Sequence, residues 1–192
     1  MATKEEIKDS AYYCFAHYGY EGTTMQDIAK AVGLKKQSLY SHFESKEELF
    51  LTVLQEQSRI ITAELDMVFN RLKDKPVEDL LKGVFGGVIN TFSVRERLLL
   101  WKRTFIYFSS AETKEIKEPS DWHFDRKLSE SLEHAILDSN VGFTGAYRAF
   151  FLSFMLTIQG YLDWMLVMGH SEDTWAAIWR NYWNGASANF LN

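Results

Sequence analysis

The sequence predicts an all-α protein. Proline occurs only twice in 192 residues, apolar residues recur at helical spacing along most of the chain, and short Ser/Thr-led motifs open each new periodic run. Scarce proline permits long helices, and the motifs mark where they begin. With 46% apolar residues the chain can bury a substantial core. Its single cysteine, Cys14, excludes an internal disulfide framework, and no Cys/His set has the spacing of a zinc site. The N-terminus, Met1-Ala2-Thr3-Lys4-Glu5-Glu6, turns acidic at once and lacks an apolar run. No signal peptide is expected, and a cytoplasmic setting is.

The elements follow in order. Ile7, Ala11, Cys14, Phe15 and Tyr18 form one apolar stripe of a first helix, which Gly19 ends. Thr23 or Thr24 caps a second, with Met25, Ile28, Ala29 and Val32 facing inward and Gly33 closing it. A third short helix, Lys35 to His42, turns Leu39 and Phe43 inward, and Ser45-Lys46-Glu47-Glu48 is a capping box for a fourth. That helix, about Lys46 to Leu72, spans about 40 Å at 1.5 Å per residue. Pro76 opens another, Leu98 to Phe108 is strongly apolar, and Ser109 to Pro119 reads as a charged loop or frayed helix. Asp121 to Leu137 is amphipathic, and Asp138 to Gly142 reads as a turn.

Charge placement is informative. The formal net charge of −5 opposes indiscriminate coating of nucleic acid. Yet Lys30, Lys35, Lys36 and Lys46 face only Glu44 in their stretch. Residues 141–192 hold five charged side chains but twelve of the 29 aromatics. Two short helices joined by a tight glycine turn and braced by a third describe a helix-turn-helix, whose second helix enters the major groove. The outward residues of that helix, Lys35, Lys36, Gln37, Ser38, Ser41 and His42, all donate hydrogen bonds and none is acidic. Lys reaches guanine O6/N7 and Gln pairs with adenine N6/N7. On pattern alone, a small polar surface helix explains the same residues equally well.

The run Phe15-Ala16-His17-Tyr18-Gly19-Tyr20-Glu21-Gly22-Thr23-Thr24-Met25-Gln26-Asp27-Ile28-Ala29-Lys30-Ala31-Val32-Gly33-Leu34 and its continuation Ser38-Leu39-Tyr40-Ser41-His42-Phe43-Glu44-Ser45-Lys46-Glu47-Glu48-Leu49 resemble the N-terminal signature of TetR/AcrR-type transcriptional regulators. The resemblance covers residues 7–50. It implies an N-terminal three-helix helix-turn-helix DNA-binding domain, residues 1–45, and a C-terminal helical-bundle domain for effector binding and dimerisation, residues 46–192. By position it gives Lys35, Lys36 and Gln37 the base-reading places, and Thr24, Ser38, Tyr40, His42 and Lys46 the places that contact the DNA backbone. Thr24 and Lys46 also lie at helix N-termini, which attract phosphate. Where the family often opens the recognition helix with Ser or Thr, this chain has Lys35, losing a cap typically worth about 1 kcal/mol.

Residues 149–168 carry one charge and approach the length of a membrane span. Asp163 alone opposes insertion by roughly 2.5–3.5 kcal/mol, and the flanks lack a Lys/Arg cluster. A helix buried on all sides is the expectation, with no membrane partner. After Gly169 and Ser171, Trp175, Ile178, Trp179, Tyr182, Trp183, Ala186 and Phe190 form the stripe of a last helix. The resemblance implies that the last two helices pair with those of a second copy. The residues expected at that dimer interface are Phe154, Tyr161, Met165, Trp175, Trp179, Tyr182, Trp183 and Phe190. A homodimer would present two reading helices about 34–36 Å or a multiple apart to a palindromic operator in double-stranded DNA.

The resemblance further implies a small apolar or amphipathic effector that releases a repressor. Candidate contacts are Trp101, Phe105, Tyr107, Phe108, Trp122, His123, Phe124, Tyr147, Phe151, Met155, Gln159, Asp163 and Trp164, with plain core packing as the competing role. Asp163 is singled out because a carboxylate in so apolar a helix needs a partner. The alternative class is a helical-bundle small-molecule-binding protein or enzyme without DNA binding. Glu130/Glu133/His134 is the nearest approach to a di-iron set, but its spacing is wrong and it has no second copy. Cys14 sits on an inward stripe, and Gly83, Gly86 and Gly87 lie in a helical pattern rather than a phosphate loop. No cofactor, metal or catalytic residue is expected.

Overall fold

A computed structural model describes residues 2–109, 124–138 and 147–190. Among them are nine α-helices and no strand: α1 Lys4–Gly22, α2 Met25–Ala31, α3 Lys36–Leu39, α4 Lys46–Leu72, α5 Val77–Thr91, α6 Arg95–Ser109, α7 Phe124–Asp138, α8 Tyr147–Met168 and α9 Glu172–Phe190. The all-α expectation holds. Trp122 and His123, the segment expected as a charged loop before Pro119, and most of the expected turn after Asp138 lie outside the described residues, as do the side chains of Phe124 and Phe190.

The chain forms two compact units, residues 1–60 with 94–123, and residues 61–93 with 124–192. In the first, α1 starts with a capping box in which Thr3 accepts from the Glu6 amide and Glu6 accepts from the Thr3 amide. Ile7, Ala11, Cys14, Phe15 and Ala16 line its buried side. They meet Met25, Ile28, Leu39, Phe43, Leu49, Phe50, Val53 and Leu54 in one core, completed by Leu98, Leu100 and Trp101 of α6. Cys14 is buried and burial pushes its thiol pKa up. A thiol held protonated is a packing group, not a nucleophile.

The second unit is built around Phe85 of α5. Its ring is fully buried and meets Phe154 and Tyr161 of α8 and Trp175 and Trp179 of α9, with centroids 5.2–6.4 Å apart and edges turned to faces. Several residues expected at the dimer interface pack within this unit. Phe154, Tyr161, Met165 and Trp179 are buried inside the protomer. Trp175 packs on Phe85, the Tyr182 hydroxyl donates to the Phe150 carbonyl at 3.3 Å, and Trp183 stacks on Trp179. A helix that is apolar all round does not reveal which face turns inward. Here the ring-bearing faces did, because rings bury the most area. The exposed stripe of α8 is Leu152, Leu156, Gly160, Asp163 and Val167. By length and composition α8 is apolar enough to cross a membrane, but the buried residues of its inner face belong to this unit's core.

The glycines of α5 record a close helix contact. A β-carbon at Gly87 would lie 2.8 and 3.0 Å from the two methyls of Val68 and 3.3 Å from its Cβ. At Gly83 the obstacle is the tip of Leu72. A leucine tip swings aside, whereas valine is stiff at χ1. Gly87→Ala is therefore expected to lower unfolding stability by about 1–2 kcal/mol, overpacking outweighing the gain in helix propensity. Gly83→Ala should be closer to neutral. Urea denaturation of the two variants checks the order; an equal or reversed effect would contradict it.

Candidate nucleic-acid interface

Local chemistry sets the frame of α2 and α3. The Thr24 side chain accepts from the Asp27 amide at 3.2 Å while the Asp27 carboxylate accepts from the Thr24 amide, closing a second capping box. Hydrogen bonds with Thr24, first the side-chain one, hold the Asp27 carboxyl pKa below its ordinary value. At the other end Gly33 takes φ 68°, its amide donates to the Lys30 carbonyl and the Leu34 amide to that of Ala29. That is a Schellman turn, and its left-handed residue costs least as glycine. The turn reverses the chain into α3, anchored through the buried Leu39 and Phe43.

The reading helix is shorter than expected. It runs over Lys36–Leu39 instead of reaching His42, and Lys35 provides no side-chain cap. The Ser41 hydroxyl donates to the Ser38 carbonyl at 2.7 Å, closing the end as turns.

The eight expected DNA contacts separate into two groups. Lys35, Lys36, Gln37 and Tyr40 are exposed and Ser38 is half-buried beside them. The Lys36 ammonium stands 5.9 Å from the centroid of the Tyr40 ring, so both functions share one edge. The other three are engaged or enclosed. Thr24 spends both amide and hydroxyl on Asp27. Lys46 donates to the Tyr20 carbonyl at 2.9 Å and lies 4.0 Å from the Tyr20 ring centroid, tying α4 to the end of α1. His42 is half-buried, with Nε2 enclosed and without a hydrogen-bond partner. One cation escaped the sequence reading: Lys4 places its ammonium 4.8 Å from the Phe43 ring centroid, just after α3. Only tertiary structure brings residue 4 to residue 43.

The described effector candidates divide between the two units. Trp101, Phe105, Tyr107 and Phe108 belong to the first unit, where Tyr107 lies 5.4 Å from Tyr20 and 6.0 Å from Phe50 between ring centroids. Tyr147, Phe151, Met155, Gln159, Asp163 and Trp164 belong to the second. Asp163 is exposed on the outer face of α8. A cavity of about 860 Å³ in the second unit is lined instead by Phe69, Lys73, Asp74, Lys75, Pro76, Val77, Ser131, His134, Ala135 and Asp138. Its charged residues gave no sequence signal, since such runs ordinarily mark a solvated face. Among the described residues no group of His, Cys, Asp and Glu has the arrangement of a metal site.

A Schellman turn between two short helices, a braced core beneath and an outer edge that carries donors and no carboxylate define a helix-turn-helix module. Residues 7–53 match the model of the bacterial regulatory proteins of the tetR family. The match shows the family of this domain, residues 7–53. Over 47 residues it is 49% identical to IcaR of Staphylococcus epidermidis, a negative transcriptional regulator of the icaADBC biofilm operon. That match covers 24% of this chain and 25% of IcaR, so the chain spans about a quarter of its relative's length. The fold extends further. SmeT, the repressor of the Stenotrophomonas maltophilia multidrug efflux pump SmeDEF, superposes with a TM-score of 0.65 at 22% identity, covering 100% of this chain and 92% of SmeT. A TetR family transcription regulator from Marinobacter aquaeolei gives 0.69 at 17% identity, covering 98% and 95%.

Proposed function

We propose that the chain is a DNA-binding transcriptional repressor that acts in the cytoplasm as a homodimer on a palindromic operator and is released by a small amphipathic effector. The observation that carries the reading is the exposed edge of Lys35, Lys36, Gln37 and Tyr40 on a turn-anchored helix, in a domain whose relative IcaR is a named negative regulator. Residues 1–45 supply the reading surface, and residues 46–192 the dimerisation and effector functions. The 860 Å³ cavity has the size of small-molecule sites. Phe69, Pro76 and Val77 beside Lys73, Asp74, Lys75, His134 and Asp138 suit an effector with an apolar body and a polar end.

The homodimer is assigned to the outer face of α8 and α9. Leu152, Leu156 and Val167 are 58%, 61% and 82% exposed in the protomer. Ala177, Asn181, Gly185 and Ala188 make a small-residue outer face on α9. Gly160 and Gly185 are interior helix positions where an added β-carbon would meet nothing within 4 Å, each costing about 0.5–1 kcal/mol against alanine. Close approach of a second copy explains keeping them.

The test is operator selection from random DNA followed by titration of variants. Lys36→Ala is expected to lower operator affinity by about 1–3 kcal/mol, and Gln37→Ala to relax base preference at its position by a similar amount. Both variants binding the selected operator like the parent would reject the assignment.

A further inference from the structure

The end of α1 is held from outside the helix. A helix leaves its last carbonyls without partners. The regular run of α1 breaks at Gly19, where φ is 74°, and its last turn carries no basic residue of its own. Four of the carbonyls there are taken by side chains. Arg103 of α6 donates from Nε to Ala16 at 2.9 Å and from Nη2 to His17 at 2.8 Å. The Thr23 hydroxyl donates to Gly19 at 2.7 Å, and Lys46 of α4 to Tyr20 at 2.9 Å. Close by, Glu96 of α6 lies 3.3 Å from His17 Nε2. Two cations thus sit at the negative end of the helix dipole, with their donors on the carbonyls that define its axis.

From this geometry we infer that Arg103 is a positioning residue for DNA binding: a cap on α1, supplied from α6, that fixes how the chain leaves α1 and therefore where α2 and α3 stand. Beyond His17 only a few residues remain before the Thr24 cap of α2. The apolar side of α1 is already anchored by Ile7, Ala11, Cys14, Phe15 and Ala16. What the guanidinium adds is direction at the exit, not burial. Its fork reads two successive carbonyls at once, which a lysine does not reproduce. Arg103 touches no DNA-reading side chain; it acts through the backbone of residues 16–24. The inference rests on the DNA-binding reading above.

The experiment uses the full chain and the operator selected by the parent. Arg103→Ala, Arg103→Lys and the parent are titrated by fluorescence anisotropy across a salt series, and amide exchange is followed in each. Arg103→Ala is expected to lower operator affinity about tenfold, the scale of a lost helix cap, with unchanged affinity for random duplex. The slope of log K against log salt should also stay unchanged, because no phosphate contact is removed. Faster exchange should be confined to residues 17–24, Arg103→Lys should recover part of the loss, and millimolar methylguanidinium should restore Arg103→Ala. Affinity within twofold of the parent overturns the inference. So does a slope reduced by about one unit, which would make Arg103 a direct phosphate contact, or exchange raised along the whole of α1, which would make its role general stability. A parent that selects no operator would sink the DNA-binding reading itself, a result separate from all of these.

Discussion

Phe85→Ala is expected to destabilise the protein by about 3–5 kcal/mol, the range for removing a buried phenyl ring. Phe85 is fully buried, and four aromatic rings from two other helices meet it edge to face. Such pairs contribute about 0.5–1.5 kcal/mol each beyond the area they bury. They share one partner, so their energies do not add independently. The cavity left behind has little freedom to collapse, because α5 also abuts α4 through Gly87, where Val68 leaves no slack. Against a typical total of about 5–15 kcal/mol, the loss is a large fraction. Urea denaturation followed by near-ultraviolet circular dichroism reads both stability and the packing of Trp175 and Trp179. A loss below about 1 kcal/mol would show that the rings repack and that Phe85 does not organise the unit.

What was legible in the sequence divides along the range of the interactions involved. The starts of α2 and α4 were readable because their caps are local: Asp27 lies three residues from Thr24, and Glu48 donates its amide to Ser45 at 3.0 Å. The turn at Gly33 was readable for the same reason. The outward set of Lys35, Lys36 and Gln37 followed from helical period once Leu39 was placed inside. The length of α3 did not, because local propensity offers no sharp stop there and the Ser41 hydroxyl decides it. Lys46, read as a phosphate contact, is occupied by the Tyr20 carbonyl 26 residues away, and Arg103 reaches α1 across 86 and 87 residues. No spacing rule reports such pairs. The aromatic stripe of α9 was correctly seen as a stripe, but stripes do not state what covers them.

That ambiguity sets the second large effect. Leu152→Glu with Leu156→Glu is expected to yield monomers in sedimentation while leaving the fold intact. Both side chains are mostly exposed in the protomer, so two glutamates are solvated there and meet like charges only when a second copy approaches. Operator affinity should then fall by about 10²–10⁴-fold, the contribution of tethering two reading helices to one site, while affinity for random duplex per protomer stays close to that of the parent. Trp179→Glu with Trp183→Glu should behave differently. Trp179 is buried against Phe85 and stacked on Trp183, and a carboxylate there removes a ring from that core, so those variants lose stability before they lose association. A dimer that survives the leucine substitutions but dissociates cleanly, still folded, on the tryptophan ones would return the interface to the aromatic face. In the opposite outcome, Gly160 and Gly185 gain their reason: a helix from the second copy lies where a β-carbon would stand.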